Sequence, residues 1–269
     1  MAEMRGAVLA DDGVRLAFKT AGEGPRNLLL MHGWAGSANS WDGVIKALDL
    51  GKFRVVASDL RGHGNSDKAT TGFTDERLAK DALAVADASG ARRFTAVGFG
   101  MSGRFVQYLR LLAPERVEAM VIVAGCPAWA MELPDAVIAD WVGRAGDRQR
   151  LREIPLMFAI KHDLALLEER ADDAVKASGC ALEATLRVLL TPFRRSMAGG
   201  GTSAIPTLVL AGTSDALFGP SVQRAIAAAY PGSQMIELDC GHELLIEAPS
   251  QTAEQLAQFI TRLAENPKI

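Results

Sequence analysis

The chain has 269 residues, 49% of them hydrophobic, and sets 29 Lys and Arg against 32 Asp and Glu for a net charge of −3. That length suffices to bury a sizeable core in one or two domains. So even a charge balance, with no run of like charges, excludes nucleic acid and acidic membrane as expected partners. No apolar run reaches the ~18 residues a membrane helix needs; the longest, Ala119 to Met131, is broken by Gly125-Cys126-Pro127. Met1 to Gly6 leads straight into a strand-like stretch without a signal-peptide core. Three cysteines, Cys126, Cys180 and Cys240, without CxxC spacing, suit a reducing compartment rather than a disulfide framework. A cytoplasmic globular protein is expected.

Taken in chain order, Val8 to Ala10 and Val14 to Lys19 flank the turn signal Asp11-Asp12-Gly13 and predict a hairpin. Asn27 to Met31 is a short apolar strand, followed by a glycine-rich loop and a helix from about Ser40 to Leu48. Phe53 to Ser58 is the next strand and Asp59 to Asp67 a polar loop. Thr74 can cap a helix through Leu78, Val85 and Ala88, with Asp75 and Glu76 at its positive end. Arg93 to Phe99 and Arg116 to Ala124 read as buried strands with a helix between them.

The pattern then changes. From Pro127 to about Ala204 the chain reads as helical, carrying Trp129, Met131, Trp141, Met157, Phe158, Phe193 and Met197 and ending at Gly199-Gly200-Gly201. Alternation resumes with the strand Pro206 to Ala211, a helix whose first turn accepts Pro220, and a last strand, Gln234 to Leu238. The closing helix from about Ser250 sets Ala253, Leu256, Phe259, Ile260 and Leu263 on one face. Alternating strands and helices imply a mostly parallel sheet covered on both faces. An insertion at the carboxyl ends of its strands lies where ligands bind in such folds, which makes residues 127–204 a lid.

Four segments carry chemistry. Met31-His32-Gly33-Trp34-Ala35-Gly36 follows a strand, as does the loop Asp59-Leu60-Arg61-Gly62-His63-Gly64-Asn65-Ser66. Val97-Gly98-Phe99-Gly100-Met101-Ser102-Gly103 sits at a strand-to-helix junction, and Asp215 and His242 each follow one of the last two strands. Together these segments resemble the α/β-hydrolase superfamily over nearly the whole chain. The resemblance implies an α/β-hydrolase fold: an eight-stranded, mostly parallel sheet with helices on both faces, a core of residues 1–126 and 205–269, and a helical lid of residues 127–204. It also implies the order nucleophile, acid, histidine along the chain.

Aligning Gly98 with the first glycine of the family's nucleophile elbow, and Ser102 and Gly103 with its small residues, puts Gly100 at the nucleophile position. The rival register makes Ser102 the nucleophile, but it sets the bulky Arg104 where a small residue is required. Asp215 then orients His242 as general base, and the backbone N–H groups of Trp34 and Met101 form the oxyanion hole. Asp59, Arg61 and His63 read as fixing loop geometry. Glu243 and Glu247 read as surface or loop charges, and Arg144, Arg148 and Arg152 as a solvated face. The implied reaction is hydrolysis of an ester, lactone or activated C–C bond of a mostly apolar small molecule, with Trp129, Trp141 and Phe99 as substrate-binding side chains. No metal or organic cofactor is implied.

Glycine offers no hydroxyl, so no acyl-enzyme can form on residue 100. Two origins fit: a serine replaced by glycine, giving an inactive or nearly inactive variant, or a natural non-hydrolytic member that binds a ligand or uses His–Asp base chemistry without a covalent nucleophile. Surroundings otherwise complete for a serine favour the first.

Overall fold

The computed structural model describes residues 3–161, 163–193 and 205–265. Eight strands form one sheet: β1 (Met4–Leu9), β2 (Arg15–Ala21), β3 (Arg26–Met31), β4 (Phe53–Ser58), β5 (Phe94–Phe99), β6 (Val117–Val123), β7 (Thr207–Gly212) and β8 (Gln234–Leu238). Their spatial order is β1-β2-β4-β3-β5-β6-β7-β8. β1–β2 and β2–β4 pair antiparallel; every other pair is parallel. The first hairpin is longer than the apolar residues alone predict. β1 begins at Met4 because it is an edge strand whose residues are mostly exposed or half-buried, so backbone pairing to β2 rather than hydrophobicity defines it.

The helices in the core are α1 (Asp42–Ala47), α2 (Asp75–Ala88), α3 (Ser102–Leu112), α8 (Pro220–Ala228), the short α9 (Leu244–Glu247) and α10 (Pro249–Glu265). Period-two alternation distributes the central strands between two cores. Leu29 and Met31 of β3 join Leu78 and Val85 of α2, Phe105 of α3 and Ile226 of α8 on one face. Leu28 and Leu30 join Val44 of α1 with Leu256 and Phe259 of α10 on the other. Cover on both faces makes β5 and β7 buried throughout, the mark of parallel strands. Thr74 caps α2 as expected, its side chain accepting from the Arg77 N–H at 3.1 Å. The helix expected from Ser40 is preceded by a 3-10 turn, Ala38–Trp41, and starts at Asp42.

Among the described residues, four helices lie between β6 and β7: α4 (Asp135–Val142), α5 (Arg148–Phe158), α6 (Leu164–Ala174) and α7 (Gly179–Leu189). Among the described residues of this stretch there is no strand. The predicted lid boundary at Ala204, with Met197 and the triple glycine, falls outside the described residues. Arg104 on α3 fastens both stems of the insertion. Its guanidinium, fully buried, takes Asp75 of α2 in a two-pronged pair at 2.8 and 2.7 Å. The same group donates to the carbonyls of Trp129 at 3.4 Å and Thr191 at 2.7 Å. No helix among the described residues is long and apolar enough to cross a membrane.

Candidate active site

The carboxyl ends of β3, β5, β7 and β8 converge on one cavity, with Gly33, Phe99, Phe218 and His242 among its lining residues. β5 delivers the sharpest turn. Gly100 directly follows it with φ +53°, in the left-handed region that glycine adopts without a Cβ penalty. The turn is tight: a Cβ on Gly98 would stand 2.3 Å from the Ser102 carbonyl oxygen, so strand and helix meet there only because residue 98 has no side chain. The Gly100 carbonyl accepts from the N–H groups of Gly103 at 3.0 Å and Cys126 at 2.8 Å.

The register of this turn is visible in what its side chains reach. The Ser102 hydroxyl donates to the carbonyl of His32 and is fully buried. His242 instead faces residue 100: a Cβ built there would lie 3.6 Å from His242 Nε2, with its other neighbours no nearer than 3.8 Å. The geometry therefore sets Gly100, not Ser102, before the imidazole.

His242 leaves the loop after β8, its backbone N–H donating to the Phe158 carbonyl at 2.9 Å. Its Nδ1 meets Asp215 Oδ2 at 2.9 Å. The other Asp215 oxygen accepts from the N–H groups of Leu217 at 2.7 Å and Phe218 at 2.8 Å. Burial alone would raise the Asp215 carboxyl, but the bond to His242 and these two N–H groups hold it below its ordinary value. For His242, burial opposes the imidazolium. The hydrogen bond and charge of Asp215, with the charge of Glu243, outweigh it and raise the group above its ordinary value. The rings of Phe99 and Phe218 pack on the imidazole at 5.3 and 5.4 Å between centroids.

The His-Gly loop is fixed from within. His32 Nε2 accepts from the Leu60 N–H at 3.1 Å, so the proton sits on Nδ1, which donates to the Gly33 carbonyl at 2.7 Å. Burial pushes this imidazole down to about 4, keeping it neutral. Trp34, next in the loop, lines the cavity, and its indole N–H donates to the Leu182 carbonyl of α7 at 2.9 Å. In the neighbouring loop, Asp59 accepts from the backbone N–H groups of Ala38 at 2.6 Å and Asn65 at 2.7 Å, while Arg61 pairs with Asp81 at 2.6 Å. His63 is buried, its Nδ1 3.0 Å from the Arg61 carbonyl. These contacts fit a loop-fixing role.

Of the side chains expected to bind substrate, Phe99 and Trp141 line the cavity, together with Met101 and Gly100. Trp129 does not. It is 45% exposed and outside the lining, because the stem it occupies is held by its backbone carbonyl. Three charged residues also differ from expectation. Glu243 is buried and lines the cavity. Glu247 is half-buried, its carboxylate accepting from the N–H groups of Ile160, Lys161, Gly241 and Glu243 at 2.8 to 3.1 Å. Arg144 is buried against Asp140 and Glu153, whereas Arg148 is partly exposed and paired with Glu168 and Asp172. Sequence reasoning missed Phe158, Phe218 and Arg170 on the cavity wall. Phe218, three residues past Asp215, could have been found from the turn its N–H makes.

A family model described as "alpha/beta hydrolase fold" matches residues 26–155, from β3 into α5. The pimeloyl-[acyl-carrier protein] methyl ester esterase of Nitrosomonas europaea is 26% identical over 87% of this chain and 94% of its own. An esterase from Exiguobacterium antarcticum superposes with a TM-score of 0.84 at 18% identity, over 96% of this chain and 100% of its own. The enol-lactonase from Burkholderia xenovorans does so with a TM-score of 0.81 at 22% identity, over 95% and 100%. By its sheet, its strand order and these likenesses, the chain has the α/β-hydrolase fold, and residues 26–155 match that family's model.

Proposed function

We propose that this site hydrolyses an ester, lactone or activated C–C bond of a small, mostly apolar molecule when residue 100 is serine, and that Gly100 leaves the chain inactive or nearly so. The observation that carries the reading is the gap before His242. A Cβ at residue 100 meets nothing closer than 3.6 Å, and that nearest atom is the base, Nε2. A hydroxyl one bond further out falls within reach of the imidazole that would deprotonate it, with Asp215 holding the tautomer. In the reaction the serine oxygen attacks the carbonyl carbon, its proton passes to Nε2, and the Trp34 and Met101 N–H groups receive the oxyanion. The protonated histidine then gives its proton to the leaving oxygen. Water, deprotonated in turn, frees the acyl group.

The apolar wall supports an uncharged acyl part: Met131, Leu133, Ile154 and Leu189 line the cavity. Residues 127–204 serve as its lid, and a cytoplasmic setting with a small-molecule substrate, and neither nucleic acid nor membrane, as partner completes the reading. The names of relatives, esterase and lactonase, agree with it. The test is Gly100→Ser assayed on p-nitrophenyl acetate. We expect kcat to rise roughly 10⁴-fold or more, the scale on which nucleophile removal acts in serine hydrolases. Adding His242→Ala should abolish the gain. A serine variant as inert as the glycine chain would assign the site to ligand binding or to other chemistry.

A further inference from the structure

The cavity wall carries a charged pair, Glu243 and Arg170, for which the proposed reaction has no use. Glu243 follows the base directly, is only 5% exposed, and lines the cavity with His242 and Gly100. Its Oε2 is buried without a hydrogen-bond partner. The nearest cation is Arg170 of α6, whose Nη2 stands 3.7 Å away, beyond the 2.7–2.9 Å of a charge-assisted hydrogen bond. The other terminal nitrogen of Arg170 donates to the Ser40 hydroxyl. The carboxyl thus faces a cation but lacks a proton donor on Oε2, in a wall that is mostly apolar.

We propose that Glu243 is a specificity-determining residue: its Oε2 accepts a hydrogen bond from a neutral donor, a hydroxyl or amide N–H, on the substrate's acyl part, and Arg170 is the positioning residue that keeps the carboxylate in place. The inference rests on the cavity being the substrate site. Charge selects a neutral donor. The Arg170–Glu243 pair sums to zero, so a substrate ammonium gains attraction from one partner and repulsion from the other, and a carboxylate fares the same. A hydroxyl needs no net field; it needs only an unoccupied acceptor. Oε2 is already out of contact with water in the free protein, so a hydrocarbon acyl chain costs it nothing further, while a hydroxyl that reaches it makes a hydrogen bond the hydrocarbon cannot make. Discrimination therefore works by favouring the molecule that carries the donor.

The Gly100 chain is suited to the test, since it should bind esters without consuming them. Dissociation constants are measured by calorimetry for the phenyl esters of lactic, β-hydroxybutyric and ω-hydroxyhexanoic acids, each beside its isostere with methyl in place of hydroxyl. At least one hydroxy ester should bind about tenfold more tightly than its isostere, the scale of one hydrogen bond to a charged group. Glu243→Leu should erase that ratio while leaving the isostere bound as well or better. Glu243→Gln, which keeps an acceptor oxygen, should retain part of it. A merely structural Glu243 would weaken both members of a pair alike and leave their ratio unchanged. Equal binding within every pair on the unsubstituted chain overturns the inference, whether or not the leucine variant folds, and leaves the hydrolase reading standing. Failure of all six esters to bind overturns the reading of the cavity itself.

Discussion

Replacing Gly100 isolates the backbone cost of a nucleophile elbow. At φ +53° an L-residue pays for its Cβ, and the surroundings add little, since the nearest atoms to that Cβ lie at 3.6 to 3.9 Å, ordinary van der Waals contact. The left-handed conformation costs a non-glycine residue about 1–2 kcal/mol. Losing glycine's unfolded-state freedom returns roughly 0.4–1 kcal/mol. Gly100→Ala should therefore be destabilised by about 1 kcal/mol, a Tm lower by roughly 2–4 °C in a chain of this size. Serine suffers the same backbone cost but its hydroxyl can bond His242 Nε2, a net gain of about 1 kcal/mol at most. The expected order is glycine first, serine between, alanine last. Urea unfolding of the three variants, with unchanged slope, measures it. An alanine midpoint at or above that of the glycine chain would show that residue 100 is not held in the left-handed region, and the elbow assignment would fall with it.

Acid should weaken the fold before any carboxylate titrates. His32 and His63 are buried neutral, pushed by desolvation down to about 4 and about 3. Their folded values lie below the unfolded ~6.5, so the stability they confer is complete above that pH and is lost as pH falls toward the folded values, about 3 kcal/mol for His32 alone; urea midpoints at pH 7 and pH 5 will show whether it is. His242 has the opposite sign: its contribution is present below ~6.5 and lost as pH rises through its raised value. The kcat/KM of Gly100→Ser should accordingly climb along a limb centred above that ordinary value, and a limb centred below it would contradict the Asp215 pairing. Arg104→Ala strands Asp75 and releases both stems of the insertion, so a loss of about 3–5 kcal/mol is expected by denaturant titration. Glu247→Ala should cost at least about 2 kcal/mol and also depress kcat in the serine background, because its carboxylate holds Gly241 beside the base.

The buried strands were legible because parallel strands are apolar runs bounded by turn residues, and β3 to β7 fall where those runs lie. The residue pair Asp215 and His242 was legible because each follows one of the last two strands. Their place in the pattern of the family the chain resembles marked them, and the structure sets their side chains 2.9 Å apart. β1 was legible only in part, since an edge strand buries too little for composition to mark it. Glu243 was misread for a related reason. Sequence shows a charge next to a histidine, and charges are usually solvated. Only the fold reveals that α6 brings Arg170 over it from 73 residues earlier in the chain. Trp129 was misread in the other direction: an aromatic in a lid suggests a wall, but its backbone is what the core uses.

The fastenings of the four inserted helices are unevenly spread. α5 ends on the carbonyl that holds His242, and the following turn is gripped by Glu247. α6 is pinned through Asp173 to Ser37 at 2.7 Å and Asn39 at 3.2 Å, and α7 through its Leu182 carbonyl to Trp34. In α4 only Ile138 is buried. Parting the insertion at α4 would break the packing of its Trp141 ring on Trp34, 5.4 Å between centroids, but no hydrogen bond of the base, and Met131, Leu133 and Trp141 already face the cavity there. Lifting the α5 end instead would break the His242 backbone bond and disarm the base in the same movement. A molecule admitted past α4 meets an aligned imidazole; one admitted past α5 would arrive at a site taken apart by its own entry.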